Sequence, residues 1–311
     1  MDLAAPGNKQ GKPRPLMGGR SSFLVVLLSS LEASSAWVSS FPQTLAKINF
    51  LPMARKKVGL ALSGGGARGF SHVGVLRVLA DNDMPIDYVS GTSAGSIVGG
   101  ALASGMSVDE IEVLAAKIGY ANVMLPSLAF GGLFSNEPLG RFLRRHFPVT
   151  KIEEMPIPYA AVAFDLATSK KVVFRDTGNL ITAIRASCGV PGVFAPVRDE
   201  DGRMLVDGGV LSPMPADVVR DMGADVVIAV DLLVCGASYT LNSWTSIGIT
   251  LQSAMATLRI SSQNEHRHAD LVIEPQIAHL RMDQMGKRNE FIELGAQAAR
   301  ENLERIKELI A

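Results

Sequence analysis

From Lys57 onward the chain alternates short apolar runs with helical patterns, and two of the runs stop at glycine clusters. Apolar runs fall at 58–62, 88–90, 159–164, 171–174, 203–206, 226–231 and 269–273. A helical pattern over 67–80 follows the first run, and an apolar helical stretch over 96–104 follows the second. Interleaved strands and helices bury their apolar faces best as one sheet with helices on both sides. The order therefore predicts an α/β fold around a mainly parallel sheet. At the far end, Phe291, Leu294, Ala298, Leu303, Ile306 and Ile310 recur at helical spacing, which predicts a packed surface helix over 287–310. The stretch 119–136 is rich in Gly, Leu, Phe and Met with few charges, and reads equally as an apolar lid or a long connection.

Composition excludes several classes. With 47% apolar and 19% charged residues in 311, the chain has ample surface to bury, so wholesale disorder is ruled out. Thirty Lys and Arg balance thirty Asp and Glu, but unevenly. Residues 1–57 carry eight cations against Asp2 and Glu32, which leaves 22 against 28 in the body. A mildly acidic body lacks the clustered cations that neutralise phosphates, so nucleic acid is not an expected partner. Cys188 and Cys235 have no metal-ligand spacing and are expected as reduced, buried thiols.

Residues 1–56 stand apart as an N-terminal extension. Eight serines in four Ser-Ser pairs surround an apolar run over 23–28, far short of the ~20 residues a membrane span needs. Three readings stay open. The cations, apolar run and Ser34-Ser35-Ala36 follow the order of a secretory signal, functional over 20–36 in an exported protein. Alternatively Met53 is the true start, which implies a cytoplasmic protein, or the segment is a disordered extension. In each reading residues 57–311 are the folded domain.

Two glycine motifs and one aspartate carry the chemistry. Gly64, Gly65, Gly66, Ala67, Arg68 and Gly69 fit Gly-x-Gly-x-x-Gly between a strand and a helix, the context of a dinucleotide fingerprint. A dinucleotide site also wants an acidic residue at the end of the next strand. Asp81, Asp83 and Asp87 precede that strand instead. The second motif, Gly91-Thr92-Ser93-Ala94-Gly95, lies at a strand-to-helix junction where a nucleophile elbow lifts a serine hydroxyl clear of the sheet. Its plain reading is a glycine-rich turn with a serine cap. The two motifs explain each other, because a serine attacking a carbonyl needs preorganised N–H donors for the oxyanion. The glycine run at 64–66 and the N-terminus of the helix after Ser93 are the candidates to supply them. Arg68, the lone cation of the loop, reads as a loop stabiliser, a lipid-phosphate contact, or a solvated or ion-paired side chain. None of the five histidines follows the serine in a hydrolase order, and His72 reads as a packed residue. The better proton acceptor is Asp207, at a strand end before Gly208 and Gly209, although Asp-Gly-Gly alone is most often a turn.

Taken together, these residues resemble the patatin-like phospholipase family, most closely its compact bacterial members near the neuropathy-target-esterase branch. The 64–69 loop looks like that family's oxyanion-hole loop, 91–95 its nucleophile motif, and 207–209 its catalytic aspartate motif. The stretch 186–196 is similar to the segment preceding that aspartate. The resemblance implies a three-layer α/β/α fold with a mainly parallel central sheet and a Ser93–Asp207 catalytic dyad. Gly64, Gly65, Gly66, Ala67, Arg68, Gly69 and Ala94 would form the oxyanion hole, supported by Gly91, Gly95, Gly208 and Gly209. No metal or cofactor is implied. The expected activity is carboxylic ester hydrolysis of phospholipids, lysophospholipids or simpler lipid esters, with transient membrane-surface contact. A transacylase shares every residue of that set, and a nucleotide-binding or acyl-binding regulatory module remains the alternative from another class.

Overall fold

The computed structural model describes residues 55–127, 131–234 and 246–311. The readings of the N-terminal extension, including Met53, and of Cys235 lie outside these residues. In chain order the strands are β1 (Val58–Leu62), β2 (Tyr88–Thr92), β3 (Leu125–Pro126), β4 (Phe134–Ser135), β5 (Tyr159–Asp165), β6 (Lys170–Phe174), β7 (Val197–Arg198), β8 (Met204–Asp207), β9 (Val226–Val230) and β10 (Leu271–Ile273). The helices are α1 (Phe70–Asp81), α2 (Ala94–Ala103), α3 (Val108–Lys117), α4 (Tyr120–Val123), α5 (Glu137–His146), α6 (Leu180–Ser187), α7 (Ala216–Asp221), α8 (Ser246–Glu265) and α9 (Arg288–Ile310).

The main sheet runs in the order β10-β9-β1-β2-β5-β8-β7, with β6 also on β5. The pairs from β10 across to β5 are all parallel. Central β1 is apolar at every position and wholly buried, as a strand covered on both faces must be. Its alternate residues divide between two cores. Val58, Leu60 and Leu62 face a large cluster with α1, α3, α5, α6 and α9, whereas Ala61 packs with Ala216 and Val219 of α7 on the opposite face. The expected three-layer α/β/α architecture with a mainly parallel sheet is therefore the one observed.

Local chemistry sets the element ends. Ser107 and Glu110 form a reciprocal capping box that starts α3. In α5, Pro138 stands in the first turn and Arg144, Arg145 and His146 in the last, where positive charge suits the helix dipole. The 119–136 stretch contains α4 and the small β3–β4 hairpin. Leu125 and Leu133 there are exposed, so the stretch is not simply core.

One register detail positions everything that follows. Along β5, residues Tyr159 to Val162 pair in parallel with β2, and Ala163 to Asp165 pair antiparallel with β8. β6 pairs with β5 from Ala161 to Asp165, overlapping both partners, and so occupies the other edge. β2 and β8 thus share a single edge of β5 and meet end to end. Thr92 lies across from Val162, and Asp207 across from the next residue, Ala163.

Candidate active site

The head-on meeting of β2 and β8 brings Ser93, which follows Thr92, against Asp207. Ser93 has φ 54° and ψ −124°, a left-handed conformation that non-glycine residues avoid and that is held only where the surroundings over-determine it. Its N–H donates to Ser187 Oγ at 2.8 Å, and its carbonyl accepts from Ser96 N–H and Ser96 Oγ at 2.9 and 2.6 Å. Ser93 stands at the N-cap of α2, yet its hydroxyl caps nothing there. It lies beside the Asp207 carboxylate instead, near enough to favour that group's charged form. The plain reading of 91–95 as a capped turn therefore fails on geometry.

The flanking glycines are required by close approach. A Cβ on Gly91 would run into the Gly95 carbonyl, and one on Gly95 into the Leu62 carbonyl, both far inside contact distance. Gly69 lies against the Ala94 methyl in the same way, so the two glycine loops touch. Gly208 packs on the Val162 carbonyl, and Gly209 N–H donates to Asp207 Oδ1 at 2.8 Å.

Asp207 is buried, and its backbone N–H donates to the Gly189 carbonyl at 2.9 Å. Burial pushes its carboxyl up to about 6, opposed by the hydrogen bonds from Ser93 and Gly209. A carboxylate with that affinity for protons, beside a serine, has the basicity of a general base near neutral pH.

The amides of the 64–69 loop divide into two groups. Gly64 N–H donates to Pro213 O, Ala67 N–H to Met282 O and Arg68 N–H to Gly65 O. Among the described residues no partner takes the Gly65 and Gly66 amides, and Ala94 N–H lies in the open first turn of α2. Gly66 and Ala94 border a cavity of about 140 Å³ that also reaches Ser93. Its walls are otherwise almost wholly apolar and include Phe70, Ile97, Ala101, Leu114 and Phe194.

Of the readings of Arg68, the structure shows the loop stabiliser. It is fully buried, with Nε and Nη2 donating to Leu280 O at 3.1 and 2.7 Å and Nη1 to Leu232 O at 3.0 Å. The guanidinium is an internal staple of the loop, neither solvated nor available to a lipid phosphate. His72 is buried as expected, on the Ser63 carbonyl at 2.8 Å, and burial lowers it to about 4.

Two supports escaped sequence reasoning. Ser187 and Gly189 brace the two central residues from one turn, within a stretch quoted for its similarity but without assigned roles. The segment 280–282 clamps Arg68 and Ala67, and nothing in its sequence marks it. Cys188, in the first of these stretches, is buried on the cavity wall, and burial pushes its thiol up.

The patatin-like phospholipase family model matches residues 60–220, which includes all three motifs. An uncharacterized NTE family protein of Mycobacterium bovis is 40% identical over 179 residues, 57% of this chain and 49% of that protein. Human patatin-like phospholipase domain-containing protein 6 is 37% identical over 182 residues, 56% of this chain and 13% of that one. Among solved structures, VipD from Legionella pneumophila aligns with a TM-score of 0.47 and 15% identity, covering 81% of this chain and 67% of that one. The chain thus aligns over about half the length of the mycobacterial relative and a small part of the human one. With the family model spanning more than half of its length, this chain belongs to the patatin-like phospholipase family.

Proposed function

We propose that residues 57–311 form a serine acyl hydrolase acting on lipid esters through a Ser93–Asp207 dyad. The observation that carries this reading is Ser93, raised on a left-handed elbow where β2 and β8 meet, beside a buried Asp207 and on the wall of an apolar cavity. Asp207 takes the Ser93 proton as Oγ attacks the ester carbonyl. The Gly65, Gly66 and Ala94 amides hold the oxyanion, helped by the positive end of α2. Collapse expels the alcohol, which leaves with the proton from Asp207. Water then attacks acyl-Ser93, gives its proton to Asp207, and the released Ser93 oxygen recovers it.

The cavity accounts for the acyl side of the substrate. Phospholipids, lysophospholipids and simpler lipid esters all present such a chain, and exposed Leu125 and Leu133 suit transient contact with a lipid surface. The test is fluorophosphonate labelling of the full chain, mapped by mass spectrometry, in the parent and in Ser93→Ala. An adduct on Ser93 and loss of ester hydrolysis in the variant are expected. Undiminished hydrolysis by Ser93→Ala would sink the assignment.

A further inference from the structure

The three motifs are tied together by one short strut, residues 210–215, between the 207–209 turn and α7. At its start, Leu211 and Ser212 N–H donate to Gly208 O at 3.1 and 2.8 Å. Its carbonyls then face the other two motifs. Ser212 O accepts Thr92 Oγ1 at 2.8 Å, Pro215 O accepts Ser90 Oγ at 2.7 Å, and Pro213 O accepts Gly64 N–H at 2.9 Å. Any shift of the strut therefore moves the residue before the nucleophile and the first residue of the oxyanion loop together. Pro213 and Pro215 have no N–H, so a ladder of backbone bonds cannot hold the strut.

What holds it is Glu265, the last residue of α8. One carboxylate oxygen accepts Ser212 Oγ at 2.6 Å and the other accepts Met214 N–H at 2.7 Å. The end of α8 has its own footing on the sheet. Ser262 Oγ and His266 Nε2 both reach Asp231 Oδ2, at 2.7 and 2.8 Å, and Asp231 is fully buried just beyond β9. Ser261 Oγ adds a bond to Leu211 O at 3.0 Å. A mostly buried carboxylate is costly to fold around unless its lone pairs are used, and this one spends them on the strut.

We propose that Glu265 is a positioning residue for the Ser93–Asp207 site, acting through the 210–215 strut to align the nucleophile strand with the oxyanion loop. The inference rests on the hydrolase reading above. Glutamine at this position keeps both bonds, with its carbonyl accepting from Met214 N–H and its amide donating to Ser212 Oγ. Alanine keeps neither.

The experiment measures kcat and KM for a soluble short-chain p-nitrophenyl ester, and the fluorophosphonate labelling rate, in the full-length parent, Glu265→Ala, Glu265→Gln and Ser212→Ala. Misplacement of a reacting group by an ångström costs on the order of a hundredfold in rate. Glu265→Ala is expected to lose about ten- to hundredfold in kcat and labelling rate with KM within about threefold. Glu265→Gln should return to within about threefold of the parent, and Ser212→Ala should fall between. An unchanged kcat in Glu265→Ala overturns the proposal, as does a Gln variant as slow as the Ala one. If Glu265→Ala does not fold, an unchanged kcat in Ser212→Ala overturns it. A parent that is never labelled at Ser93 overturns the hydrolase reading and this one with it, whereas a labelled parent with indifferent variants removes only the role of Glu265.

Discussion

Asp207 pairs a chemical advantage with a cost to folding. Its carboxyl titrates at about 6 in the folded protein and near 3.8 when unfolded, because burial penalises the charge. Between roughly pH 4 and 6 the folded state keeps a proton that the unfolded chain has released, so rising pH removes stability across that window. Above it the ionised group costs on the order of 3 kcal/mol. In the proposed mechanism activity has the opposite slope, since there the carboxylate must be free to accept the Ser93 proton. Hydrolysis is expected to rise with pH through about 6 and then level off. Asp207→Asn keeps the shape and can bond both Ser93 and Gly209, but removes the charge and the base. Its rate should drop by about a hundredfold or more, while its melting temperature at pH 8 should exceed the parent's by about 5 °C. That gain should vanish at pH 4. Calorimetry at the two pH values checks it, and a lower melting temperature at pH 8 would contradict the burial argument.

Among the elements, the elbow between β2 and α2 is a tight joint beside the site. The Leu62 carbonyl, at the end of β1, occupies the space that a side chain on Gly95 would need. Gly95→Ala must push α2 off β1, and overpacking of this kind costs about 1–3 kcal/mol or more. Gly119→Ala is the matched control, because no atom lies within 4 Å of its added Cβ and its φ is not left-handed. Urea midpoints should fall clearly for the first, and the unfolding free energy of the second should stay within about 0.5 kcal/mol of the parent's. Equal midpoints would mean that the elbow yields more easily than its geometry implies. The same joint aims the first turn of α2 at Ser93, so Gly95→Ala should also slow labelling.

The cavity exists only in the assembled molecule. Its lining comes from the 64–69 loop, α1, α2, α3, α5 and the 186–196 turn, and from Val123 and Met285 at its margins. Ala94, Ile97, Val98 and Ala101 place one face of α2 along it. From Ala94 to Ala101 that face runs about 10 Å at the helical rise, the direction in which an acyl chain would extend from Ser93. Ala101→Leu should obstruct the far part. Each displaced methylene forfeits about 0.8 kcal/mol, so decanoyl ester hydrolysis should fall about tenfold or more. Butyryl ester hydrolysis should stay within about threefold of the parent. An equal loss on both esters would place the acyl chain elsewhere.

Much of this was legible because it is local. A nucleophile elbow needs glycines on both sides of a serine between a strand and a helix, and all of those are written within 91–95. A buried central strand needs an unbroken apolar run, and 58–62 is one. Helix α8 was not visible, since Ile249 and Ile260 on it are exposed rather than covered. Nor could sequence show where a lone cation goes: Arg68 lies inside on two carbonyls because chain segments more than 160 residues away close over it. The α/β alternation, the elbow and the candidacy of Ser93 and Asp207 are written in the order of residues. That they come together is a property of the folded sheet, because it depends on β2 and β8 running toward each other along one edge of β5, and strand register is set by long-range pairing rather than by neighbours in the chain.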